Sequence, residues 1–228
     1  ESTKPNDNFT ITQGLVWGLQ PVTYTGVQAT TAIADGVNFV LGVVNDVYSD
    51  TSVAVSRDKA YFGQVQFAGD SFGVNVGAIV GEDAGLFDDR GATGGCKSGD
   101  DCNTSVFNTT LTADPSDEIS LWADFTWARS FGDNTFEGDA YGIAGAGRIA
   151  LTDDTGLATR VEWVRADSSY VHSQSVGSGV ASSSIDLISL TGAVDHTLAE
   201  GLKLRGEIRW DRNESNAPIF ANGSNNSG

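Results

Sequence analysis

Basic residues are scarce. Thirteen Lys and Arg stand against 30 Asp and Glu, a net charge of −17 at pH 7, and a chain of that sign offers little to the phosphates of a nucleic acid. There are two cysteines, Cys96 and Cys102, and two histidines, His172 and His196, far from the cysteines in sequence. A structural zinc site needs more thiol and imidazole ligands at closer spacing, so no metal is expected. No run nears the ~18–20 apolar residues of a transmembrane helix, and no amphipathic helix of convincing length can be traced. Neither absence bears on transmembrane β-strands, whose alternation averages to near-neutral hydropathy. No signal peptide is visible in these residues, and the chain begins at Glu1 without Met, which reads as a processed or partial chain.

Catalytic signatures are equally thin. There is no G-x-S-x-G nucleophile elbow. The glycine-rich "GIAGAGRIA" (142–150) lies within a strand pattern and opens no helix, so it is not a dinucleotide fingerprint. The acidic stretches "EDAGLFDD" (82–89) and "SGDDCN" (98–103) do not match an EF-hand loop. His172 falls in a long loop and His196 beside a tight turn. The chain is expected not to be an enzyme and to need no cofactor.

What is present is alternation. In "LKLRGEIRW" (202–210), Leu202, Leu204, Gly206, Ile208 and Trp210 fall on one side of a strand, and Lys203, Arg205, Glu207 and Arg209 on the other. Period-two patterns predict strands at 26–33, 37–45, 60–68, 72–82, 106–113, 118–129, 140–152, 157–166, 185–197 and 202–211, with 9–19 as a further candidate. Several run to about ten residues, against ~5–6 for a typical globular strand, and a tilted strand needs ~9–11 to cross a bilayer.

The connections alternate strictly between two kinds. "ADG" (34–36), "GDS" (69–71), "DPSD" (114–117), "DDTG" (153–156) and "AEG" (199–201) are tight turns; 46–59, 83–105, 130–139, 167–184 and the stretch after Arg212 are long and polar. In an up-and-down meander all tight turns then lie at one end and all long loops at the other, as in outer-membrane barrels. A Greek-key sandwich has no reason to keep that alternation.

If the apolar faces meet lipid, the polar faces line an interior. Asp124, Arg148, Arg160, Glu162, Lys203, Arg205, Glu207 and Arg209 are the candidate pore-lining residues, a row with a slight basic excess that also suits pairing between strands. So polar an interior implies a water-filled channel or a plugged lumen. Trp127, Trp163 and Trp210 end strands that run towards long loops, and Tyr61 and Tyr141 open strands that return from them. These five fit an aromatic girdle at the membrane interface. Gly145, Gly147, Gly192 and Gly206 on the apolar side would underfill a packed core but are tolerable against lipid. Cys96 and Cys102, in "GGCKSGDDCN", read as a small disulfide-closed loop in an oxidising compartment.

Several stretches carry a family resemblance. "NFTITQGLVWGLQPVTYTGVQAT" (8–30), with its Pro-Val-Thr-Tyr-Thr-Gly segment, and "GVVND" (42–46) resemble OmpL-like β-barrel porins, as do "DPSDEISLWADFTW" (114–127), "AYGIAGAGRIALTDDTGLATRVEWV" (140–164) and "ISLTGAVDHTLAEGLKLRGEIRWDR" (188–212). The resemblance implies a bacterial outer-membrane porin. Members of that family begin with further strands and finish on one ending in an aromatic residue, whereas this chain stops in "ANGSNNSG". The expectation is therefore an all-β, transmembrane up-and-down antiparallel barrel, a single domain over 1–228 that forms the C-terminal portion of a larger barrel, incomplete at both ends. Its partners would be outer-membrane lipid and small hydrophilic solutes or ions, with a homo-oligomer or a sheathed partner protein open. The alternatives are a structural barrel acting as sheath or anchor, and a secreted soluble β-rich binding protein.

Overall fold

The structure, a computed structural model, describes residues 8–48, 59–82, 102–132, 138–167 and 184–214. Ten strands make one antiparallel sheet in strict sequence order. They are β1 (Gly26–Ala34), β2 (Val37–Val44), β3 (Ala60–Ala68), β4 (Phe72–Glu82), β5 (Cys102–Ser116), β6 (Ile119–Gly132), β7 (Gly138–Ala150), β8 (Thr155–Ala166), β9 (Ile185–Ala199) and β10 (Leu202–Asn213). Each pairs with its sequence neighbours, and β1 and β10 are the two edges of the sheet. Seven strands, β1, β5, β6, β7, β8, β9 and β10, extend past the predicted bounds towards the long-loop or tight-turn ends.

The tight turns sit together at one end, and their backbones hold one another. Ala68 N–H donates to Gly36 O, Asp114 to Ser71, Ala150 to Glu118 and Thr197 to Asp154, each at 2.8 Å. Gly36 and Gly201 supply the positive φ, 69° and 79°, that two of these turns require. At the opposite end Asn45 N–H donates to Thr25 O, Asp167 to Asp139 and Glu214 to Asp186. The alternation of short and long connections in the sequence is thus an alternation of ends in space.

One correction concerns 9–19, which is not a strand. Residues 8–20 run as bends and a single 3-10 turn, Val16–Leu19, across one face of the sheet, touching β6, β7 and β8. The backbone N–H groups of Ile11 and Thr12 donate to the Glu207 carboxylate, and that of Val16 to Glu162. Side chains of the wall take the bonds that a neighbouring strand would have taken. We call this covered side the inner face.

The outer face is apolar, and among the described residues nothing covers it. Val43, Val65, Val76, Leu121, Phe125, Ile143, Val161, Leu190 and Ile208 are all exposed there. Nothing approaches within 4 Å of where a Cβ would sit on Gly192. The buried apolar cluster lies instead on the inner face near the long-loop end, where Val16, Leu19 and Val47 pack on Val44, Ala60, Ile79, Val106, Ala128, Ala140, Val164, Ala166 and Leu187. A water-soluble sheet would bury its apolar side and wet its polar one; here the assignment is inverted, as a bilayer demands.

Ile208 is 82% exposed in the middle of β10. Ile208→Arg is expected to destabilise the folded protein in lipid by about 2–4 kcal/mol, the cost of an Arg on a barrel's lipid face near the midplane. A denaturant titration in phospholipid vesicles measures it, and a loss under ~0.5 kcal/mol, typical of a surface change, would contradict lipid exposure.

Candidate functional site: the inner face

Because side chains alternate, the pairing register carries one parity across the whole sheet. Thr110 faces Asp124, Asp124 faces Ala144 and Ala144 faces Glu162; Arg160 faces Thr191, and Thr191 faces Arg209. Asp124, Arg148, Arg160, Glu162, Lys203, Arg205, Glu207 and Arg209 all fall on the inner face by this register. Tyr61, Trp127, Tyr141, Trp163 and Trp210 fall on the outer face, each near the long-loop end of its strand. Tyr141 and Trp163 pack ring on ring at 5.7 Å, and Trp127 Nε1 donates to Asp139 Oδ1 at 3.0 Å.

Most of the charged residues fall in four groups. Deepest is Arg160 with Glu162, whose side chains are 0% and 1% exposed and whose Nε and Oε2 lie 3.0 Å apart. Arg160 Nη1 also donates to Thr10 Oγ1 and to Thr12 O, both at 2.7 Å, and Nη2 to Thr191 Oγ1. Glu162 accepts the Val16 N–H at 3.2 Å. Gly14 makes this approach feasible, since a Cβ there would overlap the Glu162 carboxylate. Of the two interiors open on sequence, a water-filled channel or a plugged lumen, this pair meets neither open water nor a foreign partner: the chain's own segment 8–20 covers it.

On β10, Glu207 accepts from the Ile11 and Thr12 backbones and from the Thr12 hydroxyl. Arg209 Nη1 donates to Gln13 O at 2.9 Å and its Nε to Asp211 Oδ1 at 2.8 Å. Nearer the tight turns, Arg148 grips Asp195 with two bonds, at 3.0 and 2.9 Å, and Lys203 Nζ stands 3.5 Å from the same carboxylate. The Arg148 guanidinium crosses β8 over Gly156, where a Cβ would overlap it.

Asp124 is the third anchor. It is 4% exposed and accepts from Gln20 Nε2, Asn108 Nδ2, Thr110 Oγ1 and Thr126 Oγ1 between 2.8 and 3.1 Å. Its charge is spent within the wall. Leu19 O in turn accepts from the Tyr48 hydroxyl at 2.8 Å, so the segment is fixed from β6 to β10 and at the loop after β2.

Sequence reasoning missed Asp195 and Asp211, both of which the register puts on the inner face. With them, Arg148, Arg160, Lys203, Arg205 and Arg209 face Asp124, Glu162, Asp195, Glu207 and Asp211, and the slight basic excess vanishes. Counting parity along 185–197 would have found Asp195. Nothing in the sequence marked residues 8–20 as an inner segment. His196 lies exposed at the tight-turn end with Nδ1 2.9 Å from Thr155 Oγ1. His172 and Cys96 lie outside the described residues, and Cys102 enters only as the first residue of the β5 backbone.

Removing one partner of a buried ion pair strands the other's charge. Arg160→Leu is expected to cost about 3–5 kcal/mol, and Arg160→Leu with Glu162→Leu to recover part of that loss. Equilibrium unfolding of the two variants in lipid vesicles checks this; equal losses would mean that the pair is not the source of the cost.

The fold is similar to that of outer-membrane barrels. OmpT of Vibrio cholerae, an outer-membrane-expressed protein, matches with a TM-score of 0.62 and 15% identity over 93% of this chain and 65% of that one. A loop-deletion mutant of the same protein matches at 0.64 and 14%, over 93% of this chain and 68% of that one. The chain thus spans about two thirds of the length of these barrels. No curated protein matches it by sequence. The family model described as "Putative beta-barrel porin-2, OmpL-like" matches residues 1–228. The chain belongs to this OmpL-like family of bacterial outer-membrane β-barrels.

Proposed function

We propose that this protein is a porin, a passive channel through the outer membrane for small hydrophilic solutes and ions, with no catalytic role. The observation that carries the reading is the inverted sheet: an apolar outer face that suits lipid, and an inner face that is polar from the tight turns past mid-strand and apolar only near the long loops. The chain's own segment 8–20 lies on the inner face of β6–β8 and reaches β10, while among the described residues the inner face of β1–β5 is covered only near the long-loop end, by the cluster around Leu19 and Val47. A self-covered wall favours the channel over a sheath for a partner protein, because the charged groups that could hold a partner already hold residues 10–20. In this role the segment narrows the channel, and the balanced wall gives weak ion selectivity at most.

Reconstitution tests the reading. The protein in planar bilayers is expected to give discrete conductance steps, and in liposomes to admit small sugars. Sealed liposomes and silent bilayers with folded protein would overturn it. Reversal potentials under a salt gradient are expected to lie near zero at molar salt and to move towards cation preference at low salt, where acidic loops act over a longer Debye length. Strong cation preference persisting at molar salt would mean that acidic loop residues line the path.

We also propose that Cys96 and Cys102 are joined, closing a short loop at the long-loop end. Without reductant, maleimide is expected to label neither; labelling of both would contradict the bond.

A further inference from the structure

We infer that the uncovered half of the inner face holds a binding site for an uncharged polyhydroxylated solute of sugar-like chemistry. The inference rests on the channel reading and names its solute class. Two observations point the same way. First, the inner positions of β1–β5 carry no charged side chain between Gln28 and Thr112: register and parity put Gln28, Thr30, Asn38, Gln64, Gln66, Asn75, Asn108, Thr110 and Thr112 there, with small and apolar residues between them. All ten wall charges named above lie on β6–β10, and most are engaged with one another or with segment 8–20. A charged solute in this half would lose hydration and find no counter-charge.

Second, where residues 20–24 meet the same half there is a cavity of about 300 Å³, lined by Gln20, Tyr24, Gln28, Phe62, Gln64 and Asn108 among others. That is the lower end of the range for small-molecule sites. Tyr24 and Phe62 stack at 5.8 Å with an 11° interplanar angle, giving a flat apolar wall of the kind that packs on the C–H face of a sugar ring. The amides are set in order by their neighbours. Gln20 and Asn108 turn their nitrogens to Asp124 and Thr126, which directs their carbonyl oxygens away as acceptors, that of Asn108 also taking the Thr110 hydroxyl at 3.3 Å. Gln64 Oε1 accepts from Gln66 Nε2 at 3.0 Å, leaving its NH₂ group as a donor. Acceptors and a donor around an aromatic wall match hydroxyl groups, which both donate and accept.

The test is equilibrium binding of radiolabelled maltose to the folded protein in an amine-oxide detergent, which has no sugar headgroup to compete, beside block of the bilayer current by maltose. Binding is expected to be saturable and to change less than twofold between 0.1 and 1 M KCl, since no ion pair is involved. Phe62→Ala is expected to weaken it by roughly tenfold. Gln64→Glu, close to isosteric and less prone to misfold, should weaken maltose and bring in salt-sensitive binding of glucosamine. Glucosamine or gluconate binding the unaltered protein more tightly than maltose would overturn the inference, as would no saturable maltose binding, or maltose binding unchanged in folded Phe62→Ala and Gln64→Glu. The channel reading fails separately: maltose binding by a protein that gives no conductance would keep the site and remove the porin.

Discussion

Burying Arg160 against Glu162 imposes a condition on everything around it. A fully desolvated ion pair is tolerable only when its remaining donors and acceptors are also satisfied, and two adjacent strands cannot do that alone. Here the missing partners come from residues 10–16: Thr10 and Thr12 take the guanidinium, and the Val16 N–H takes the carboxylate. The segment in turn needs the wall, because its backbone is in no sheet and its amides would otherwise go unpaired. Wall and segment therefore fold as one unit, and Gly14 is the point of closest approach between them.

From that condition the rest of the interior follows. With the segment pinned over β6–β8, Val16 and Leu19 are carried to the long-loop end, where small residues on neighbouring strands (Ala60, Ala128, Ala140, Ala166) make room for them. The interior is thus dry and apolar near the long loops, ionic beneath the segment, and amide-lined along β1–β5. Outside, the register needs only an apolar residue at every second position, and even glycine satisfies lipid there.

The strands, their order and their faces were legible in the sequence because a barrel wall obeys a strictly local rule. Alternation in 202–211 is set by the pleat, and the tight turns at 34–36 and 199–201 by the need for positive φ; neither depends on distant residues. The segment at 8–20 was not legible for the opposite reason. Its apolar residues mimic a strand, and what decides its place is a set of side-chain bonds to Glu162 and Glu207, 146 and 196 residues away. Asp195 and Asp211 were legible and were overlooked, since parity alone puts them on the inner face. Gly14 and Gly156 carry no signal in one sequence: that each yields its space to a charged side chain is visible only in three dimensions.

The net charge of −17 is a poor guide to what the wall presents. Aspartates in turns and loops supply much of it, and beyond about a Debye length their influence on a solute inside is screened. The wall's charges offset one another on β6–β10, where most are tied up in holding the chain together. Under the proposed channel reading, what remains for a solute to meet is the half without charge. An acidic protein can in this way build a wall that is neutral along one half, provided that its ionic groups are gathered on the other side and given structural partners. The asymmetry between β1–β5 and β6–β10 does this, with Arg148, Lys203 and Asp195 partnering one another and Arg160, Glu162, Glu207 and Arg209 partnered by one short segment.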